Sequence, residues 1–253
     1  HDKSALVLFD FAAAFPSMGH VFIWAALAAI GIPPFVIAAY RWLYHENKHK
    51  LVWKGRTFSS VHVKSGVRQG CPLSPLLFIL CLEPLLWRLK TYFPTSFFRA
   101  FADDIGAVVH RVDHHWKSIV RIFTAFGSFS KLTINIGKVI IVPLWNHDFE
   151  DDILVWLVTS LWHKVKVANK GKYLGIFLGP GAHPIDSYNS ALKKLKERVV
   201  KWKLPYFSLM HKIEVWNTFM ATLFSYVDQV LIQPTEVTDT ILATMKTFIG
   251  GVN

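Results

Sequence analysis

The sequence predicts an α+β protein, in which a mixed region of strands and helices (residues 1–182) is followed by a helical region (residues 183–253). In the first region, short apolar runs typical of buried strands alternate with longer helical stretches. Beyond Gly179-Pro180-Gly181 the strand patterns fade, and apolar residues recur every three or four positions, as in amphipathic helices. These two observations place a domain boundary at about residue 182.

The elements of the first region follow one another without long gaps. Gly31 and the prolines after it separate two predicted helices. Alternation of side-chain type around Gly55-Arg56 predicts a hairpin. In chain order, we expect a strand at 4–11, helices at 18–30 and 34–45, hairpin strands at 50–54 and 57–64, a helix at 75–89, two strands within 98–109, a helix at 116–129 and a strand at 139–144.

Three helices are predicted in the second region. The first has an apolar stripe at spacings of three and four residues, and its other positions are mostly Lys or Arg. The stripe consists of Tyr188, Leu192, Leu195, Val199 and Trp202. Similar spacing predicts further helices at residues 209–223 and 237–248.

Composition excludes a disordered chain and favours a polyanionic partner. Of the 253 residues, 52% are hydrophobic and 18% are charged, which is enough apolar sequence for a large core. The 28 Lys and Arg exceed the 17 Asp and Glu, so the formal net charge is +11. Such an excess is common in proteins that bind nucleic acids.

The sequence predicts an intracellular protein with no membrane span. Cys71 and Cys81 lie among apolar residues and are too few for a disulfide scaffold. The long uncharged run at residues 21–40 is interrupted by Gly31, Pro33 and Pro34, so two buried helices are expected there. No signal peptide precedes the first strand, and a start at His1 indicates a piece cut from a longer protein.

Three acidic residues interrupt apolar sequence. Asp10 ends the run LVLFD, and Asp103 and Asp104 interrupt the run AFADDIGAVV. A carboxylate in such surroundings is unfavourable unless it is paired or binds a cation. Because two adjacent carboxylates also repel each other, the pattern indicates a site for divalent metal with oxygen ligands, which favours Mg²⁺. A simple turn at Asp103-Asp104 is the alternative, since Asp is common in turns.

Five segments extend this pattern: LFDFAAAFPS, SGVRQGCPLSPLLF, FADDI, SFSKLTINIGK and YLGIFLG, in that order. They resemble the successive motifs of reverse transcriptases from LINE-type (non-LTR) retrotransposons. The second is close to that family's RQGxPLSPxLF pattern and is the most specific of the five. The resemblance implies a polymerase palm, which is an antiparallel sheet with packed helices, over residues 1–182. Part of the fingers would lie at about residues 20–65, and a helical thumb would begin at residue 183.

The resemblance also implies a reaction, the transfer of dNTPs onto a primer 3′-hydroxyl by an RNA-directed DNA polymerase with two metal ions. Asp10 and Asp103 would be the principal ligands, Asp104 a weaker one, and the backbone carbonyl of Phe11 would complete the site. The ions would be Mg²⁺, with Mn²⁺ as a substitute. Lys138 matches the lysine that is proposed to protonate the departing pyrophosphate, with a solvated surface lysine as the alternative.

Four positions match residues around the incoming nucleotide. Phe15 would be the steric gate, an aromatic ring that excludes the 2′-hydroxyl of rNTPs; without the resemblance it would be a core phenylalanine. Gln69 and Gly70 would lie against the nascent base pair, where glycine permits close backbone approach. Arg68 would meet the template backbone or a phosphate, with a solvated hairpin-edge charge as the alternative.

The remaining matches concern the duplex. The YLGIFLG segment resembles the primer grip, so Tyr173, Leu174 and Gly175 would press on the primer terminus, or form a plain buried strand. Phosphates of an RNA–DNA duplex would contact the first helix of the second region through Lys193, Lys194 and Arg198, unless that face is simply solvated. The implied partners are an RNA template, a DNA primer and dNTPs, in a nuclear or cytoplasmic retrotransposon ribonucleoprotein.

Several departures leave other hypotheses open. Ala13, Pro16, Lys131 and Val139 differ from residues frequent in the family, and the upstream fingers motifs and an endonuclease domain are missing. A decayed, non-catalytic nucleic-acid-binding remnant is therefore an alternative. Group II intron maturases and telomerase are related polymerases that the motifs fit less well. The residues 45–49 also match HExxH, the helical signature of zinc proteases, although no third ligand is evident.

Overall fold

The computed structural model describes residues 3–45, 48–145, 162–202 and 208–250, together with Ile153, Leu157 and Ser160. The contacts within the chain divide it into two compact units, His1–Ala168 and Asn169–Asn253. Among the described residues, no helix combines the length and the hydropathy needed to cross a bilayer.

Strands and helices of the first unit appear largely where the sequence predicts them. The strands are β1 (Ala5–Phe9), β2 (Lys48–Trp53), β3 (Arg56–His62), β4 (Phe97–Phe101), β5 (Asp104–Val109), β6 (Ile140–Pro143) and β7 (Lys166–Val167). The helices are α1 (Ala14–Ser17), α2 (His20–Ala29), α3 (Pro34–Tyr44), α4 (Leu73–Tyr92) and α5 (Val112–Ser130), and a 3₁₀ turn covers Ile136–Lys138.

Five of these strands form one sheet in the order β4-β5-β1-β6-β7. The pairs β4–β5, β5–β1 and β1–β6 are antiparallel, and β6–β7 is parallel. Strands β2 and β3 form a separate hairpin. The predicted α+β class, with a mainly antiparallel sheet and packed helices, is confirmed.

The central strand β1, which lies between β5 and β6 in the sheet, is buried along its whole length. Ala5, Val7 and Phe9 alternate along it and join one core cluster with the two long helices. Helix α4 contributes Leu77, Phe78, Cys81, Leu85 and Leu89 to that cluster, and α5 contributes Trp116, Ile119, Phe123 and Phe126. This packing fixes the carboxyl end of β1, where Asp10 follows.

The second unit combines a short hairpin with helices. The hairpin strands are β8 (Gly171–Tyr173) and β9 (Ile176–Leu178), and the helices are α6 (Pro184–Trp202), α7 (Leu209–Val215), α8 (Ser225–Asp228) and α9 (Thr235–Gly250). A π-helical turn, Trp216–Met220, and a 3₁₀ turn, Ala221–Leu223, connect α7 to α8. The predicted stripe of α6 is confirmed, since Tyr188 and Leu195 are fully buried in this unit's core.

The first unit ends at Ala168, whereas the sequence predicts a boundary at about residue 182. The difference arises because the β8–β9 hairpin packs with the helices of the second unit. Ile176 of the hairpin belongs to the same core cluster as Tyr188 of α6. The backbone N–H of Phe177 also donates a hydrogen bond of 2.9 Å to Ser187 Oγ. These contacts join residues far enough apart in sequence that composition alone does not reveal them.

Candidate active site

The strand register brings Asp10 beside the Asp103-Asp104 pair. In the β1–β5 ladder Phe9 lies opposite Ile105, so the next step along each strand places Asp10 opposite Asp104. Strands β4 and β5 are joined by a two-residue turn, Ala102-Asp103, in which Ala102 adopts a left-handed conformation with φ of 51°. Asp103 therefore lies at the tip of the hairpin, next to the same sheet edge.

The carboxylates of Asp10, Asp103 and Asp104 interact electrostatically with one another and with the Lys138 ammonium. Burial raises the pKa of Asp104, and the nearby carboxylates of Asp103 and Asp10 raise it further, whereas the Lys138 ammonium opposes the shift. Lys138 Nζ lies 3.1 Å from Asp10 Oδ2, although the lysine side chain is 63% exposed and the aspartate 27%. Lys138 is therefore the one cation paired with these carboxylates in the part of the chain that the structure describes.

The oxygen atoms at this end of the sheet suit a hard divalent cation. Asp10 Oδ2 is buried and has no hydrogen-bond partner among the described residues, although it forms the ion pair with Lys138. Backbone hydrogen bonds join this segment to residues 133–135. They use the Asp10 carbonyl and the Ala12 N–H, and do not use the Phe11 carbonyl. Carboxylate and carbonyl oxygens are the ligands that Mg²⁺ prefers. Among the described side chains, however, no three His, Cys, Asp or Glu already converge as a metal-holding group.

Phe15 follows directly after the site. It lies on the short helix α1, which starts after Ala13, a residue in left-handed conformation with φ of 50°. Its half-buried ring stacks on Phe78 of α4, with 4.8 Å between ring centroids and 12° between planes. This stacking against a core helix fixes the orientation of the ring.

A backbone clamp holds the segment around Phe15, and the sequence analysis missed it. Val67 N–H donates to the Phe15 carbonyl at 2.8 Å, and Gly66 N–H donates to the Met18 carbonyl at 2.7 Å. The His20 imidazole is hydrogen-bonded to the Gly66 carbonyl at 2.9 Å. The available signal was Gly66 itself, a glycine within the quoted SGVRQG segment.

The segment after the clamp forms a tight turn. The Arg68 guanidinium donates to the Leu43 carbonyl and lies 5.3 Å from the centre of the Tyr44 ring, so helix α3 anchors this side chain. Its Nε is buried without a hydrogen-bond partner among the described residues. Gln69 is exposed, and Gly70 has a φ of 83° with open space where a Cβ would be.

In the second unit, Tyr173, Leu174 and Gly175 form the end of the β8–β9 hairpin. Leu174 and Gly175 both have positive φ, 47° and 87°, as a two-residue turn of this type requires. The Tyr226 hydroxyl donates a hydrogen bond of 2.5 Å to the Leu174 carbonyl, and its ring lies against Gly175. Tyr226, which the sequence analysis did not single out, therefore fixes the tip of this hairpin.

The three basic residues predicted on the first helix of the second unit, α6, differ in their surroundings. Lys193 and Lys194 are exposed. The Arg198 guanidinium donates to the Phe219 carbonyl of the π-helical turn, so part of its hydrogen-bonding capacity is used inside the unit.

The zinc-protease hypothesis is wrong, because its HExxH signature requires a helix that the structure does not have at this position. Helix α3 ends at Tyr44, and strand β2 begins at Lys48, so residues 45–49 do not lie on one helix. Glu46 and Asn47 lie outside the described residues.

Comparisons with known proteins agree with the motifs. Residues 1–178 match the family model described as reverse transcriptase (RNA-dependent DNA polymerase). Over 112 residues the chain is 32% identical to the retrovirus-related Pol polyprotein from type-1 retrotransposable element R2 of Popillia japonica; the match covers 40% of this chain and 18% of that protein.

Solved structures show the same fold at low sequence identity. Apo telomerase from Candida tropicalis, truncated from its C-terminal domain, has a TM-score of 0.54 at 11% identity, covering 70% of this chain and 34% of that one. Telomerase from the same organism in complex with a fragment of telomeric RNA also has a TM-score of 0.54, at 12% identity, covering 97% and 40%. The chain thus spans less than half the length of each of these relatives.

Proposed function

The chain belongs to the reverse transcriptase (RNA-dependent DNA polymerase) family, and from this premise we propose that it carries the nucleotidyl-transfer site of an RNA-directed DNA polymerase encoded by a non-LTR retrotransposon. Residues 1–182 would be the palm, with part of the fingers at about residues 20–65, and residues 183–253 the thumb. An RNA template, a DNA primer and dNTPs would be its partners.

The observation that carries this proposal is the meeting of Asp10 with Asp103 and Asp104 at one sheet edge. Burial raises the pKa of Asp104, and repulsion from the Asp103 and Asp10 carboxylates raises it further, as expected for acidic side chains brought close together. Asp10, Asp103, Asp104 and the Phe11 carbonyl would hold two Mg²⁺ ions, for which Mn²⁺ could substitute. When bound, the ions would supply activation of the primer hydroxyl and neutralisation of charge on the leaving group.

Around this centre, the chain's own residues would orient the substrate. Lys138 pairs with Asp10 and is largely exposed, so its ammonium is available to donate a proton to departing pyrophosphate. Phe15, held by stacking on Phe78, would exclude the 2′-hydroxyl of an rNTP. Gln69 and Gly70 would lie against the nascent base pair, and the anchored Arg68 would support that turn or meet a phosphate.

Residues of the second unit would contact the duplex. The exposed Lys193 and Lys194 of α6 would bind backbone phosphates, with Arg198 contributing its charge while it holds Phe219. Tyr173, Leu174 and Gly175 would press on the primer terminus, with the hairpin tip held in shape by Tyr226. The remaining part of the fingers and an endonuclease would be supplied by other parts of the same polyprotein.

Primer extension with the substitution Asp104→Asn tests the proposal. The assay would measure Mg²⁺-dependent incorporation of dNTPs on an RNA template, with the 253-residue chain and with the longer protein of which it would be a part. We expect Asp104→Asn to reduce the rate by roughly 10²-fold or more, since the metal ions that would stabilise the charged transition state lose one carboxylate ligand. The exposed Asp239 provides a matched control, and Asp239→Asn should retain the parent rate.

Loss of folding would not explain such a result. Because burial and the neighbouring Asp103 and Asp10 carboxylates raise the pKa of Asp104 in the folded chain, ionisation of this side chain destabilises the fold relative to its protonated form. That contribution is present below the unfolded pKa and is lost as the pH rises through the folded pKa. A neutral Asn should therefore leave the chain at least as stable at neutral pH.

Salt-sensitive duplex binding with no incorporation by either wild-type protein would instead support a non-catalytic remnant.

A further inference from the structure

The β2–β3 hairpin of the first unit is exposed at residues 50–58, on both of its faces. Among the described strands, β2 and β3 pair only with each other. The strands are joined by Lys54-Gly55, whose φ values of 49° and 73° are those of a two-residue turn that matches strand twist. Exposed apolar side chains on a hairpin that pairs with no other described strand indicate a binding surface.

The register places four side chains on one face of this hairpin. Leu51 lies opposite Phe58, and Trp53 lies opposite Arg56. Paired residues point to the same face, as do residues two apart on one strand, so Leu51, Trp53, Arg56 and Phe58 form one surface. Leu51 and Trp53 are each 65% exposed and Phe58 is 46% exposed. We call this surface the hairpin face.

The charged residues in the stretch of chain that contains the hairpin are all Lys or Arg. In the sequence, no Asp or Glu occurs between Glu46 and Glu83, whereas this stretch contains six Lys or Arg. Of these, Lys50, Lys54, Arg56 and Lys64 are exposed. Such unopposed charge attracts a polyanion and disfavours a basic or neutral apolar partner.

We propose that the hairpin face binds an unpaired nucleic-acid strand. Trp53 and Phe58 would stack on bases, which gives sequence-tolerant affinity, and Arg56 with the neighbouring lysines would contact phosphates. Duplex is disfavoured as the ligand because its bases are already stacked within the helix and present no free ring faces. The inference rests on the proposed function in one respect: a polymerase of this kind would have an unpaired template strand near the site of synthesis.

Equilibrium binding tests this without any catalysis. Fluorescence anisotropy of the 253-residue chain would be measured with a labelled single-stranded RNA, a single-stranded DNA of the same sequence, and the RNA–DNA duplex, with no dNTP or divalent ion. Trp53→Ala should weaken binding of the single strands by roughly 5- to 100-fold, the effect of one lost base–aromatic stack, and should change duplex binding little. Trp87 of α4 is similarly exposed, at 69%, so Trp87→Ala is the matched control and should change neither.

A second variant covers the case in which Trp53→Ala misfolds, as judged by circular dichroism. Arg56→Gln should lower the slope of log affinity against log salt for single strands by about 0.7, the value for one phosphate contact. A larger effect on RNA than on DNA would identify the strand as template, and equal effects would identify any unpaired strand. Unchanged single-strand affinity in both variants, or an equal loss on the duplex, would overturn the proposal. Because no synthesis is measured, an inactive polymerase site would leave these outcomes unaffected.

Discussion

The carboxylate of Asp10 has two neighbours of opposite effect. Asp104 repels it, and Lys138 neutralises it in part from 3.1 Å. Because the lysine side chain is 63% exposed, this ion pair is screened by solvent and adds little stability of its own. A weak ion pair of this kind can break, so that Asp10 binds a metal cation or Lys138 binds an anionic group, as the proposed reaction requires.

Phe15 gives a prediction at the same scale. The substitution Phe15→Val removes the ring and leaves a smaller apolar side chain. If the ring excludes the 2′-hydroxyl, the preference for dNTPs over rNTPs, measured as a ratio of kcat/KM values, should fall by about 10-fold or more. Phe22→Val removes another half-buried ring, which lies against Phe126, and should leave the ratio unchanged. An unchanged ratio in Phe15→Val would mean that this ring is only a packing residue.

The clamp between residues 15–19 and 65–67 is the feature that connects the elements of the site. It ties α1 and the start of α2 to the turn at Arg68–Gly70, so the position of Phe15 depends on a segment about 50 residues away. Gly66 is the closest point of contact. A Cβ there would lie 2.6 Å from the Pro16 carbonyl oxygen and 2.8 Å from that of Phe15.

Comparison of two glycines tests the clamp. Gly66 and Gly70 have nearly equal φ, 86° and 83°, but only Gly66 has backbone atoms where a Cβ would be placed. Gly70→Ala should therefore lower the free energy of unfolding by about 1–2 kcal/mol, the cost of a left-handed residue. Gly66→Ala should lower it by roughly 2–5 kcal/mol, because backbone clash adds to that cost. Urea unfolding measures both, and equal losses would mean that the clamp is absent.

Individual elements were predictable where local pattern decides them. The stripe from Tyr188 to Trp202 identified α6, and the run before Asp10 identified β1, because helical and strand periodicity are local properties. The hairpin of β4 and β5 followed from turn chemistry, although its turn consists of Ala102 and Asp103, one residue before the predicted Asp103-Asp104. In contrast, the left-handed conformations of Ala102 and Leu174 were not predictable from residue type, since these are positions where tertiary packing overrides a preference for other backbone angles.

At the scale of the whole molecule, long-range pairing decides what the sequence could not indicate. Asp10 meets Asp104 only because β1 pairs with β5, about 100 residues further along the chain, in one particular register. Without the family resemblance, the sequence indicated acidic residues but not their partners. The same holds for the boundary at residue 168, which depends on Ile176 packing with the helices of the second unit.

The most direct test of the central claim exchanges one carboxylate for a thiolate. Asp103→Cys replaces a hard oxygen ligand with a soft sulfur ligand, which discriminates against Mg²⁺ more than against Mn²⁺. In primer extension on an RNA template, this variant should lose roughly 10²-fold or more of the wild-type rate with Mg²⁺ and recover part of it with Mn²⁺, whereas Asp239→Cys should behave as wild type with both ions. A full Mg²⁺-dependent rate in Asp103→Cys, or an equal loss with both ions, would contradict a cation held by these carboxylates.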